Sequence, residues 1–240
     1  MAFLHGKSAT ILFGRRSLSE FLNEVSVART IETGETTNFR STGFKTYVIG
    51  LQDAALSLSG MFDGSAGAVD ATLEAAYQSD LTDPVSVSPE LEKVGAIAYV
   101  LEGHTGSYDV TSPVADVVSV SADVQAEGRI DRGVFLTDGS AITETGSGSA
   151  HDGGASSAEG GVAHLHITDN SRDGDVTVKV QHSADNVTWV DLVTFTAVPA
   201  STTTSQRSVV SGTINRYLRA DFTVAGSTGS ATVHVALARR

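Results

Sequence analysis

E-T-T-N-F-R-S-T-G-F-K, residues 35–45, runs into T-Y-V-I-G-L-Q-D at 46–53, A-A-L-S-L-S-G-M-F-D at 54–63 and G-A-V-D-A-T-L-E-A-A-Y at 67–77. The first piece is polar, with Gly34 and Gly43 as breakers, and reads as a surface loop. Tyr47–Leu51 is apolar, with Gly50 as a turn residue. From Ala54 to Phe62 the sequence alternates. Ala54, Leu56, Leu58, Gly60 and Phe62 point one way, and Ala55, Ser57, Ser59 and Met61 the other, as in a half-buried strand. Val69, Leu73, Ala76 and Tyr77 then share one helical stripe within Ala68–Tyr77, with Asp63 or Ser65 available as a cap. So short and Ala-rich a helix needs packing on a sheet to persist. The stretch predicts a sheet braced by one helix, with Leu56, Leu58, Phe62, Val69, Leu73 and Tyr77 as its core strand and helix positions.

Upstream, Ser8–Phe13 is a short strand candidate ended by Gly14. Ser17 with Glu20 has the form of a capping box, and Leu18, Phe21, Leu22 and Val25 follow at helical spacing, which predicts one or two helical turns or an irregular segment burying the same face. Downstream, strand signals recur at Val85–Ser88, Val94–Leu101, Val117–Val124 and Val134–Thr137, with Gly103–Pro113 read as a loop. Gly139–Gly161 is almost free of apolar bulk and reads as a linker. Six strand candidates follow at Val162–Ile167, Val176–His182, Thr188–Thr196, Ser205–Ser211, Arg216–Val224 and Ala231–Ala238, predicting a small Ig-like β-sandwich with Trp189 in its core. The expected fold is mainly β. A sandwich or rolled barrel with one packed helix fills 1–138, a Gly/Ser-rich linker 139–161, and a second sandwich 162–240.

The bulk chemistry narrows the function. The chain of 240 residues carries a net charge of −12. Residues 1–135 account for −9 of this and residues 136–240 for −3. Gripping nucleic acid through its phosphates needs Lys and Arg to release counterions, so an acidic chain is a poor candidate for it. A surface past which DNA slides without sticking is compatible with that charge. There is no Cys, which excludes disulfides and thiolate metal sites. No basic region precedes an apolar run at the start, and no run approaches about 18 apolar residues, so neither a secretory leader nor a membrane span is expected.

No constellation supports catalysis. His164 and His166 stand two apart on a strand and face one side, with His182 or His234 as conceivable companions for a metal; a polar strand face is the plainer reading. Asp169–Gly174 has half of a calcium-loop pattern, but position twelve is Val180, and a hairpin turn explains it better. No G-x-S-x-G, phosphate loop or dinucleotide fingerprint is present. No enzyme, cofactor or metal is expected. Phe39 and Phe44 on a polar loop read either as partner contacts or as side chains folded back onto the core.

T-T-N-F at 36–39, K-T-Y-V-I-G-L-Q-D at 45–53 and L-S-L-S-G-M-F-D at 56–63 together resemble the major tail (tail tube) proteins of long-tailed, non-contractile bacteriophages. S-L-S-E-F-L-N-E-V at 17–25 is similar to a stretch near their start. The resemblance covers residues ~10–135; the remainder is similar, more loosely, to β-sandwich additions on phage virion proteins. It implies self-assembly as hexameric rings stacked into a hollow tube that conducts DNA without specific binding. Terminator, distal tail and tape measure proteins would be partners, and the protein would reside in the virion tail after synthesis in the host bacterial cytoplasm. By the same analogy Glu35, Thr37, Phe39, Arg40, Phe44, Lys45 and Tyr47 make inter-ring or inter-subunit contacts, and the second sandwich decorates the outside. A capsid decoration or other accessory virion protein is the alternative.

Overall fold

The computed structural model describes residues 6–240, and the chain is mainly β. The strands of the first half are β1 (Thr10–Phe13), β2 (Arg16–Ser17), β3 (Leu22–Glu35), β4 (Tyr47–Met61), β5 (Asp83–Ser88), β6 (Ile97–Thr111), β7 (Ser119–Ala126) and β8 (Asp131–Phe135), with helix α1 (Val69–Tyr77) between β4 and β5. Three two-residue strands follow: β9 (Ala141–Ile142), β10 (Gly146–Ser147) and β11 (His151–Asp152). The second half contributes β12 (Gly161–Asn170), β13 (Val176–Ser183), β14 (Val190–Thr194), β15 (Thr204–Val210), β16 (Tyr217–Val224) and β17 (Ala231–Arg239).

Two antiparallel sheets carry these strands. The larger runs β15–β12–β17–β8–β6–β5–β1–β2, with β7 joined to β6, β4 to β7, β3 to β4, and β9 along β17. The smaller runs β10–β16–β13–β14, with β11 also on β16. In the first half the alternation read from sequence holds: Ala54, Leu56 and Leu58 of β4 and Val120, Ala122 and Val124 of β7 are buried. They pack with Val69 and Leu73 of α1 and with Phe13 and Val85 in one core. In the second half Leu165, Ile167, Val233 and Val235 of the larger sheet face Val178 and Val180 of the smaller one.

The two halves share a sheet. β17, the last strand, lies between β12 and β8, with Leu237 opposite Val134 and Ala236 opposite Phe135. Gly133 makes that approach possible, because a Cβ there would stand 2.1 Å from the Leu237 carbonyl oxygen. A small core of Leu12, Val100, Phe135, Val162 and Ala236 fills the junction. Residues 139–161 lie along the second half: β9 pairs with β17, and β10 and β11 with β16. Ser147 Oγ donates to Asp221 at 2.6 Å, and Arg216 forks onto Asp152 at 2.6 and 2.5 Å.

Elsewhere the structure departs from the sequence reading. The turns expected after Ser17 shrink to one, in which the Phe21 and Leu22 amides both reach the Leu18 carbonyl at 3.1 Å. Ser19 accepts from the Ile11 amide at 2.9 Å, and β3 starts at Leu22. Gly103–Pro113 is mostly strand, because Gly103 is where β7 comes closest and a bulge between Thr105 and Ser107 absorbs the irregularity. Gly50 lies inside β4. No side chain caps α1; Asp63 accepts from the Ser65 amide at 2.8 Å. Phe62 and Tyr77, expected in the core, are 38% and 51% exposed. β4 ends at Met61, and the Phe62 amide turns away to the Val118 carbonyl at 3.0 Å. Tyr77 is the last residue of α1, and Ala76 takes the buried place. Trp189 is half-buried beneath the Arg219 guanidinium, 4.3 Å from its ring, and outside the core.

Candidate assembly surface

β3 and β4 pair along their whole length, from Leu22 opposite Gly60 to Glu35 opposite Tyr47. β7 covers β4 only from Ala55 to Met61. The far half of this hairpin, Tyr47–Ala54 with its partners on β3, therefore projects beyond the sheet as a two-stranded arm about 25 Å long. A two-stranded ribbon in water is marginal by itself. This one nevertheless exposes Ile31, Tyr47, Val48, Ile49 and Leu51.

The tip, residues 36–46, holds five of the seven predicted contact residues, and the other two, Glu35 and Tyr47, form the strand pair at its base. Phe39 is fully exposed and Phe44 is 85% exposed, so neither folds back onto the core. Local hydrogen bonds shape the loop: the Thr46 amide donates to Thr37 Oγ1 at 3.1 Å and the Arg40 amide to Asn38 Oδ1 at 2.9 Å. Glu35 and Lys45 clamp its base at 2.9 Å, and the Lys45 ammonium holds the Glu35 carboxyl below its ordinary pKa.

The sheet β3–β4–β7–β6 also has an outward face opposite the core. Ser57 and Ser59 lie there beside Ser121, Asp123 and Gln125 of β7 and Ser107 and Asp109 of β6. Asp123 accepts from Ser57 Oγ at 2.6 Å and Ser107 Oγ at 3.1 Å. Glu24, Asp53, Asp109 and Asp123 supply its charge, and no Lys or Arg occupies an outward register position. Arg29, the cation of β3, sits opposite Ala54 on the core side, 5.6 Å from the Tyr99 ring centre.

The histidines are taken up in hydrogen bonds within the chain. His164 and His166 share a face of β12, as the spacing predicts, but both are fully buried. Ser86 Oγ of β5 lies 3.2 Å from His164 Nδ1 and 2.9 Å from His166 Nε2. His166 Nδ1 is 2.6 Å from the Gly14 carbonyl, which only accepts; His166 therefore donates from Nδ1 and accepts from Ser86 at Nε2. Burial pushes both imidazoles down, His166 to about 4. His234 stands opposite His166 on β17, but its Nδ1 meets Glu92 at 2.5 Å, and His182 accepts from the Asn215 amide at 3.1 Å. Among the described residues no group of three or more His, Asp or Glu is placed to hold a metal. Sequence alone gives no sign of Ser86, and Glu92, paired with Glu90 in a polar turn, reads there as solvated, whereas it is buried; the two lie 78 and 142 residues from the histidines they meet.

The Asp169–Gly174 turn is likewise occupied by its own chain. The Arg172 guanidinium is buried there, donating to the carbonyls of Thr143, Gly229 and Ala225 at 3.0, 2.8 and 2.9 Å. Asp173 accepts from the Ser227 and Thr228 amides at 2.9 and 3.1 Å. At the end of the chain Arg240 pairs with buried Asp131 at 3.0 Å.

No family model and no curated protein matches the sequence. Among solved structures, the chain is similar to one from the virion of a native gene transfer agent particle, with 15% identity and a TM-score of 0.44 over 54% of this chain and 98% of that one. It is similar to a second from the tail of an empty gene transfer agent particle of C6 symmetry, with 16% identity and a TM-score of 0.39 over 46% and 80%. The Dit protein of phage SPP1, described as a hub of the adsorption apparatus, aligns over 96% of this chain and 98% of its own at 12% identity and a TM-score of 0.36. What those proteins assemble into belongs to them.

Proposed function

We propose that this chain is a structural subunit of a phage tail tube. Copies close laterally into hexameric rings, and the rings stack into a hollow tube through which DNA passes. The observation that carries the reading is the arm, an unsupported β-ribbon with apolar side chains in solvent and aromatics at its tip. Such a surface is stable in isolation only at a cost that burial against another copy removes. The outward face of β3–β4–β7–β6 suits the lumen. Its carboxylates repel phosphate, and it offers no cation on which counterion release depends. In this assignment residues 1–138 assemble, 162–240 decorate the outside, and 139–161 join them. The terminator, distal tail and tape measure proteins are the further partners, and the mature location is the virion.

Negative-stain electron microscopy over rising protein concentration tests this. Tubes are expected. A monomer at every concentration and salt overturns the reading. Rings that never stack reassign the chain to a one-ring tail component, and binding to empty heads without self-assembly reassigns it to capsid decoration.

A further inference from the structure

The two hairpin turns of the sheet β3–β4–β7–β6 lie at opposite ends of it. The β3–β4 turn, residues 36–46, follows the pair Glu35 and Tyr47. The β6–β7 turn, residues 112–118, follows the pair Thr111 and Ser119, level with Met61 at the other end of β4. Fifteen residues of β4 separate the two ends, about 45 Å at the usual rise per residue.

The ends are chemically complementary. The arm tip carries Phe39 and Phe44 with Arg40 and Lys45, and no acidic residue lies within 36–46. The opposite end exposes Met61, Phe62, Val110, Val114 and Val117. These are neighbours through the sheet, since Phe62 donates its amide to Val118 and Met61 stands opposite Ser119. Around them lie Asp63, Asp109 and Asp116, and no Lys or Arg falls within 109–118 or 61–66. One end is aromatic and, with Lys45 held by Glu35, basic through Arg40; the other is mostly aliphatic, with Phe62 beside it, and acidic.

We propose that the arm tip of one copy docks on the Met61 and Val114 end of the sheet in the next copy. Phe39 and Phe44 cover the apolar patch, and Arg40 faces Asp116. The contact joins different surfaces of identical chains, so it is head-to-tail, and with the arm set along the stacking axis it runs from ring to ring instead of closing within one. It rests on the tail tube reading and names the surface that receives the arm.

The absence of Cys makes the contact testable by cross-linking. Thr42→Cys and Ser112→Cys replace exposed turn residues and leave the apolar anchors in place. Mixed under oxidising conditions during assembly, the two variants form a disulfide-linked heterodimer, while neither alone dimerises and Thr42→Cys with Val187→Cys gives none. Arg40→Glu and Asp116→Lys each raise the concentration needed for assembly several-fold, and the double variant returns it toward wild type. Tubes that form without a 42–112 cross-link, or a double variant worse than either single one, overturn the docking site and leave the tail tube reading standing. No assembly by the wild type removes both.

Discussion

In the arm, Phe39, Phe44 and Leu51 stand in solvent on a ribbon that two strands support. In the seam between β5 and β12, Ser86, His164 and His166 are sealed from solvent. Each region reverses the usual partition of side chains, and each is completed differently. The seam pairs most of its polar atoms within the chain, a carbonyl, two imidazoles and a hydroxyl in sequence, and leaves His164 Nε2 buried without a partner. The arm has no such completion inside the monomer. The seam therefore belongs to folding and the arm to association, and perturbing each should move a different observable.

The largest effect separates these cleanly. Phe39→Ser with Phe44→Ser removes two side chains whose burial is worth about 1.5–3 kcal/mol each. The concentration at which tubes form, read by light scattering, should rise more than tenfold, while the thermal unfolding midpoint of the monomer stays put. A fall in that midpoint would mean that the tip packs within its own chain.

Acid tests the seam. Both imidazoles are neutral in the fold, whereas in an unfolded chain they titrate near 6.5. Above that pH neither state gains a proton there and the stability is whole. As pH falls toward 4 the unfolded chain takes up protons that the fold refuses, so stability drops, by roughly 3 kcal/mol for His166 alone. Urea denaturation between pH 7.5 and 4 reads this, and His166→Gln should flatten the slope. A third, smaller effect is Ser86→Ala, which leaves His166 Nε2 buried without a donor and should cost about 1–3 kcal/mol in the same assay. Least of all, Lys45→Ala breaks an exposed ion pair at the base of the tip and should leave urea stability unchanged.

Limited proteolysis sharpens the comparison from another side. Cleavage within 139–161 should leave the two pieces associated, since β17 is paired with β8 across Gly133. Separation of the pieces on gel filtration without denaturant would show that the shared sheet and the seam contribute little.

Much of the strand pattern was legible in the sequence, because burial on one face leaves a period of two. Ala54–Met61 and Ser119–Ala126 show it, whereas the six strands of the second half were located by short apolar runs at regular spacing, and β12 and β17 among them are buried on both faces. The tip was legible as a polar loop carrying two Phe. What escaped was nonlocal. Gly103 reads as a breaker until β7 is seen pressing on it, and the Gly/Ser-rich 139–161 reads as slack until β16 and β17 are there to receive it. Ser86 and Glu92 have no local signature, since their partners come from strands far along the chain. The exposure of Phe62 and Tyr77 follows from where their elements end, and periodicity says nothing about ends.

The most direct test of the arm's role is electron microscopy of the wild-type chain beside a variant whose residues 36–46 are replaced by a two-residue turn. Stacked tubes from the wild type, and only single rings or monomers from an equally stable variant, are the expected result. Normal tubes from the shortened variant would contradict it.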